Sequence, residues 1–248
     1  MIKLIDIHKA FGPHKVLKGV HLDIEAGKTT AIMGKSGEGK SVLLKHVIGL
    51  IKPDAGQVII DDVDITKVNE KGLNEIRKKF GMLFQDAALF DSMTVGENVA
   101  FPLREHKKLR EKEIREIVAE RLRAVGLSGI EDKMSSELSG GMRKRVGLAR
   151  AIAMNPQIVL FDEPTTGLDP IMTEAINQLI IDTQNNFHLT CVVISHDLGS
   201  IFKISHKIAM LYEGEIIEYG TPDEIKASQN PVLVQFLSGS IEGPIKIV

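Results

Sequence analysis

Near the N-terminus apolar and polar residues alternate: Ile5 and Ile7 are interleaved with charge, and so are Val20, Leu22 and Ile24. A period of two buries one face of a strand, so both segments are predicted to be half-buried antiparallel strands. Thr29-Thr30-Ala31-Ile32-Met33 suits a buried strand, and it runs into GKSGEGKS and then an apolar helical stretch from Val42 to Leu50. From about Gln85 to Pro156 the period lengthens. Ile114, Val118, Leu122 and Val125 recur at helical spacing, and Gly126 follows as a C-terminal stop. The charged run Arg104–Glu116 reads as the solvated face of this helical region, with a binding role as the alternative. After Asn155-Pro156 strands and helices alternate again. Ile158–Phe161 and Cys191–Ile194 have strand length, and a helical stretch near Glu174–Gln184 lies between them. That order implies parallel strands with helical crossovers. Ile208–Tyr219 predicts two strands joined near Glu213-Gly214. The expected fold is α/β: a core from residues 1–85 and 156–235, a helical insertion at 86–155, and a tail at 236–248.

Composition narrows the function classes. The 248 residues can bury a sizeable core, and with 43% hydrophobic and 26% charged residues the chain reads as globular. A formal charge of −2 gives no electrostatic reason to expect nucleic acid as a partner. Cys191 is the one cysteine, so the fold cannot rest on an intrachain disulfide; in its apolar run it reads as a small core hydrophobe. The opening MIKLIDIHKAFG is unlike a secretory signal, and no stretch approaches the roughly 20 apolar residues of a membrane helix. Work at a membrane would need another chain to supply the span.

Three motifs carry chemistry. Gly34-Lys35-Ser36-Gly37-Glu38-Gly39-Lys40-Ser41 fits G-x-x-x-x-G-K-S/T. Its glycines let the backbone curl so that N–H groups point at phosphate oxygens, and the following helix offers its positive end to the same anion. Lys40 can reach the β- and γ-phosphates, and the Ser41 hydroxyl can bind Mg²⁺. Chance produces this pattern in about one chain in a hundred of this length. The strand Ile158–Phe161 then delivers Asp162 and Glu163: the first can hold Mg²⁺ through its water shell, and the second can polarise an attacking water. By itself such a pair is equally a helix cap. In Leu138-Ser139-Gly140-Gly141-Met142, Ser139 can cap a helix whose first N–H groups the glycines bare, a second anion site. SGG alone is also a common loop.

Taken in order, the phosphate loop, a lone Gln85, LSGGM, FDEP, TGLD and a histidine after a strand resemble the nucleotide-binding domain of ABC ATPases over nearly the whole chain. The resemblance implies a P-loop, RecA-like ATPase core with an antiparallel β subdomain and an inserted helical signature subdomain. It implies ATP and Mg²⁺ as cofactors. Phe11 matches the aromatic that stacks on adenine, although it also reads as a strand-end hydrophobe, and Val16 matches the apolar residue beside the base. Gln85 matches the glutamine that contacts Mg²⁺ and water and couples to the membrane subunit. Ser139, Gly140 and Gly141 match the signature that contacts the γ-phosphate held by the other subunit. Asp169 matches the loop linking the two sites, and His196 the histidine that contacts the γ-phosphate. Each nucleotide is then sandwiched between two copies, which predicts a symmetric homodimer with two active sites.

Met142 departs from the glutamine usual at the fifth signature position. LSGGM followed by basic residues and VGLARAIA is similar to ATPases of the Mla type, which serve MCE-protein lipid transporters. The segments Ala88–Val95 and Asn98–His106, and the tail Phe236-Leu237-Ser238-Gly239 with Glu242-Gly243-Pro244, agree. The resemblance implies integral membrane permease subunits, an MCE-domain protein and a STAS-domain subunit as partners, at the cytoplasmic face of the inner membrane. Gln85–Arg104 is expected to form the groove for a permease coupling helix, with Leu89, Phe90 and Met93 as docking surface or, alternatively, as subdomain core. A transporter for another solute and a cofactor-assembly regulator are the competing functions.

Overall fold

The computed structural model describes residues 2–246. Its strands are β1 (Ile2–Phe11), β2 (His14–Ile24), β3 (Thr29–Met33), β4 (Ala55–Ile60), β5 (Val63–Asp64), β6 (Phe80–Leu83), β7 (Ile158–Asp162), β8 (Thr190–Ile194), β9 (Lys207–Tyr212) and β10 (Glu215–Gly220). Its α-helices are α1 (Lys40–Val47), α2 (Glu70–Arg77), α3 (Val95–His106), α4 (Glu111–Ala124), α5 (Gly140–Ala151), α6 (Pro170–Phe187), α7 (Leu198–Ile204), α8 (Pro222–Ala227) and α9 (Pro231–Ser238). The chain forms two compact units: one ends at Leu73 and resumes at Val193, and the other runs from Asn74 to Val192.

In the first unit, β1 lies between β2 and β4 and is antiparallel to both. The alternation that predicted β1 is broken partway along. Ile2, Leu4 and Ile7 are buried, whereas Ile5 is only half-buried. The register shifts between Leu4 and Ile7, where Asp6 has a φ of 53°. An extra residue in one strand changes the phase of everything after it, so a β-bulge explains why Ile5 and Ile7 do not share a burial level. β3 pairs in parallel with β9, and β9 is antiparallel to β10. Ala31, Met33, Ile208 and Met210 form a core with Ile201 of α7, Ile225 of α8 and Leu233 of α9. Residues 247–248 of the predicted tail lie outside the described residues.

In the second unit, β6 and β7 are parallel, and α3 packs on α4 and α5. Ile114, Val118, Leu122 and Val125 are all buried, and Gly126 follows at φ 70°, a left-handed residue that stops α4. The charged run is divided between α3 and α4, which the ion pair Arg104–Glu111 joins. Cys191 is buried in β8. α6 extends beyond the predicted stretch at both ends because Asp169 caps it and Pro170 opens its first turn.

Candidate functional site

The phosphate loop lies between β3 and α1 in the first unit. Gly34 leaves β3 so close to β9 that a Cβ there would collide with the Leu211 carbonyl oxygen. Gly39, at φ 98°, turns the chain into α1, and a Cβ on it would lie 2.6 Å from Val16 Cγ1. Only glycine meets both demands. Lys40 is buried, and its ammonium donates to the carbonyls of Gly34 (2.7 Å) and Lys35 (2.9 Å), which holds the loop curled. The Glu38 carboxylate turns away to accept from Glu213 N–H (2.5 Å) in the β9–β10 turn. Lys35, Ser36 and Gly37 form the exposed rim, and Ser41 is exposed in the first turn of α1. No side chain caps α1, since its N-cap is Gly39. A glycine-capped helix start with a lysine and a hydroxyl is suited to a polyphosphate.

The same unit holds Phe11, Val16 and His196. Phe11 ends β1 with 49% of its surface exposed, unusual for an aromatic side chain, and the Lys9 ammonium sits 5.6 Å from its ring centre. Asp54 braces this strand end: it accepts from Lys9 Nζ and Ala10 N–H, both at 2.7 Å. Those bonds hold the Asp54 carboxyl below its ordinary value. Val16 is half-buried on β2. His196 is exposed just after β8 and before Asp197, which caps α7.

The second unit holds Gln85, Ser139, Gly140, Gly141, Asp162, Glu163 and Asp169. Asp162 ends β7. Glu163 follows at φ 50°, a backbone region where a side chain of its type is rarely found, and its Oε2 accepts from Thr166 Oγ1 at 3.0 Å. Ser139 Oγ accepts from Met142 N–H (3.3 Å), capping α5; its own hydroxyl hydrogen remains able to donate to an anion. Gly141 is roofed by the end of the Met172 side chain, which a Cβ would strike. Asp169 Oδ1 accepts from Ile171 and Met172 N–H (2.9 and 3.0 Å), so this residue has a structural duty of its own as the cap of α6.

Sequence reasoning did not foresee how the segment after β6 is held. Ala87 and Ala88 have φ values of 60° and 45°. Arg150 of α5 donates to both of their carbonyls (2.7 and 2.8 Å) and lies 5.9 Å from the Phe90 ring centre. Buried Asn98 accepts from Phe90 N–H (2.8 Å) and donates to the carbonyls of Phe90 (3.1 Å) and Thr94 (3.0 Å). Lys144 donates to the carbonyls of Gln85 and Glu163, the second at 3.4 Å. Beside this segment lies a cavity of about 720 Å³, lined among others by Phe84, Ala88, Phe90, Phe101, Pro102 and Arg150. Phe84 and Phe90 are each 41% exposed, while Leu89 and Met93 do not line it. Of Leu89, Phe90 and Met93, only Phe90 lines this cavity, together with Phe84 and Phe101. Phenylalanines at 80, 84, 90 and 101, in a chain with only 4% aromatic residues, were the available signal.

A strand–glycine loop–helix phosphate site, a strand ending in Asp-Glu and a serine-capped glycine helix define a P-loop ATPase with an ABC signature. The ABC transporter family matches residues 17–166, and the chain belongs to that family as an ATP-hydrolysing, nucleotide-binding cassette. It is 46% identical to the probable ribonucleotide transport ATP-binding protein mkl of Mycobacterium leprae, over 98% of this chain and 70% of that protein. It is 43% identical to the intermembrane phospholipid transport system ATP-binding protein MlaF of Haemophilus influenzae, over 95% of this chain and 89% of that one. A dimeric ATP-binding cassette solved in a post-hydrolysis state with ADP and Pi superposes with a TM-score of 0.82 at 34% identity, covering 90% of this chain and 99% of that one. Among the described residues no helix is long and apolar enough to cross a membrane.

Proposed function

We propose that this chain energises phospholipid transport between the inner membrane and a periplasmic MCE-domain protein. It would act as a homodimer beneath a permease dimer, peripheral to the cytoplasmic face of the inner membrane, with a STAS-domain subunit in the complex. The observation that carries this reading is the 43% identity to a relative named for intermembrane phospholipid transport, over nearly the whole of both chains. The aromatic cavity beside Gln85 supports it further: an exposed, partly apolar groove of about 720 Å³ suits a helix from a membrane subunit.

The residue roles are those the resemblance to ABC ATPases implies. Gly34–Ser41 cradle the phosphates and Lys40 neutralises the terminal pair. Phe11 stacks on the base beside Val16. Glu163 takes the proton of the attacking water, and His196 and Gln85 orient the γ-phosphate and that water. Ser139, Gly140 and Gly141 donate to the γ-phosphate bound by the partner copy, and Asp169 lies in the loop that links the two sites. Ser41, Gln85 and Asp162 offer a few hard oxygen donors. Hard oxygens of this kind suit Mg²⁺, which those residues would hold. Among the described residues no cluster of three or more His, Cys, Asp or Glu could hold a metal. When bound, Mg²⁺ neutralises charge on the β- and γ-oxygens. Functionally we divide the chain into a core at 1–85 and 156–235, a helical signature subdomain at 86–155 and a tail at 236–248.

Losing the γ-phosphate removes a piece of the interface, and only such differential affinity can drive an open–closed cycle. Glu163→Gln should therefore bind ATP, stall turnover and accumulate an ATP-dependent dimer by sedimentation or light scattering. A variant that stays monomeric with saturating ATP, alone and with its permease, overturns the scheme.

The name of the mycobacterial relative favours a second reading, ribonucleotide transport. The ATPase does not touch cargo, so reconstitution with the membrane subunits decides. ATP-dependent transfer of labelled phospholipid supports the first reading, and ATP-dependent ribonucleotide uptake replaces it.

A further inference from the structure

Lys144 lies in the first half of α5, and only 5% of its surface is exposed. A lysine there would ordinarily extend to water, because burying an ammonium is costly unless acceptors meet it. Here two backbone acceptors do: the carbonyls of Gln85, at the end of the β6 segment, and of Glu163, just after β7. These are the two residues of this unit to which we give water-handling roles. Glu163 also occupies a left-handed conformation that its neighbours must over-determine to maintain. The Asp86 and Glu163 carboxylates act on the same ammonium, so its charge has partners in that pocket; burial nonetheless pushes it below its ordinary value.

The geometry points to Lys144 as a positioning residue for hydrolysis: one buried ammonium that ties the Gln85 and Glu163 backbones to the signature helix, so that the base and the glutamine keep one spacing. This rests on the proposed roles of Gln85 and Glu163. It adds a mechanical link within one copy: movement of α5, which begins at Ser139, is passed to both residues through a single side chain. Lys144 touches no nucleotide in this scheme. Its effect should fall on the chemical step rather than on binding.

The test compares Lys144→Met, Lys144→Leu and Lys144→Arg with Glu163→Gln in the full-length chain. It uses steady-state ATPase kinetics, the affinity for a fluorescent ATP analogue without metal, and thermal melting. Methionine keeps most of lysine's unbranched length without a donor, leucine is a second donor-free variant should methionine not fold, and arginine keeps both charge and donors. We expect kcat to fall about 10- to 100-fold in Lys144→Met, the loss a displacement near 1 Å can produce. Nucleotide affinity should stay within about threefold of wild type, and Lys144→Arg should recover most of the turnover. A Lys144→Met protein with wild-type kcat overturns the inference, as does one whose kcat loss matches its loss of folded protein, or an arginine variant as inactive as methionine. If Lys144→Met does not fold, Lys144→Leu with wild-type kcat does the same. Glu163→Gln separates the two layers. If it still turns over, the underlying assignment has failed; if it is inactive while Lys144→Met is normal, only the present inference has.

Discussion

The N-terminus of α1, in the first unit, and that of α5, in the second, are built in opposite ways. α1 begins at Gly39 with no side chain on its first N–H groups, and the lysine one residue on folds back to carbonyls of its own loop. α5 begins at Ser139, whose hydroxyl already caps the helix, and its buried lysine reaches carbonyls far away in sequence. The first arrangement puts no capping side chain between the helix start and a polyphosphate, and needs only consecutive residues. The second offers the Ser139 hydroxyl and the Gly140 and Gly141 N–H groups on a helix whose Met142 N–H is already capped, and it ties that helix to other segments. A site that must grip a ligand and a site that must sense one are expected to differ in this manner.

The contrast breaks most sharply at the lysines. Lys40→Met removes the positive charge beside the terminal phosphates and the brace on the Gly34 and Lys35 carbonyls together. Turnover should fall by about 10²-fold or more, with ATP affinity falling alongside it, measured by ATPase assay and nucleotide titration. That pairing is the reverse of what Lys144→Met should give, where affinity survives. Equal behaviour of the two variants in both assays would dissolve the distinction between gripping and sensing.

The serine gives a smaller effect. In Ser139→Ala the Met142 N–H loses its acceptor and the hydroxyl donor to the partner's nucleotide is gone. Loss of the cap costs about 1 kcal/mol, which lowers the melting temperature by roughly 2–4 °C in a chain of this size. Turnover at saturating ATP should fall further than that stability change explains, while the monomer's affinity for ATP is kept. Thr94→Ala is the control: Thr94 caps α3 by the same geometry, accepting from Glu97 N–H at 3.2 Å, without a nucleotide role. It should match the melting shift and spare turnover.

How much of this was legible in the sequence follows the same division. The phosphate loop needs only neighbours in the chain, so its glycines, Lys40 and Ser41 could be read directly. Ser139 was readable as a cap for the same reason. Lys144 was not, because Gln85 is 59 residues away and Glu163 is 19 away, and a lysine inside RKR on a helix reads as a solvated charge. The Arg150 clamp on Ala87 and Ala88 was hidden likewise: two alanines carry no signal for positive φ, and that conformation is imposed by the tertiary contact. The bulge at Asp6 escaped because periodicity assumes an unbroken register. Asp169, matched by resemblance to a loop linking two sites, is also a cap, a duty that its place just before Pro170 made visible.

The smallest expected effect sharpens the comparison at its edge, where Phe11 is carried on a strand end held by an exposed carboxylate rather than a buried clamp. Asp54 accepts from Lys9 Nζ and Ala10 N–H, and the Lys9 hydrogen bond is the larger cause that holds its carboxyl below the ordinary 3.8. A carboxyl with a depressed folded-state value stabilises the fold fully above its unfolded value. That contribution is lost as the pH falls through the folded one. The loss therefore begins as the pH drops past about 3.8 and is complete only below the depressed value. Asp54→Asn cannot titrate, so melting of wild type and variant should differ at pH 7 and converge on acidification below 4. Because Asp54 is exposed, salt should narrow the difference at pH 7. A gap that stays constant from pH 7 to 3 would show that the Asp54 charge does not hold the Phe11 strand end.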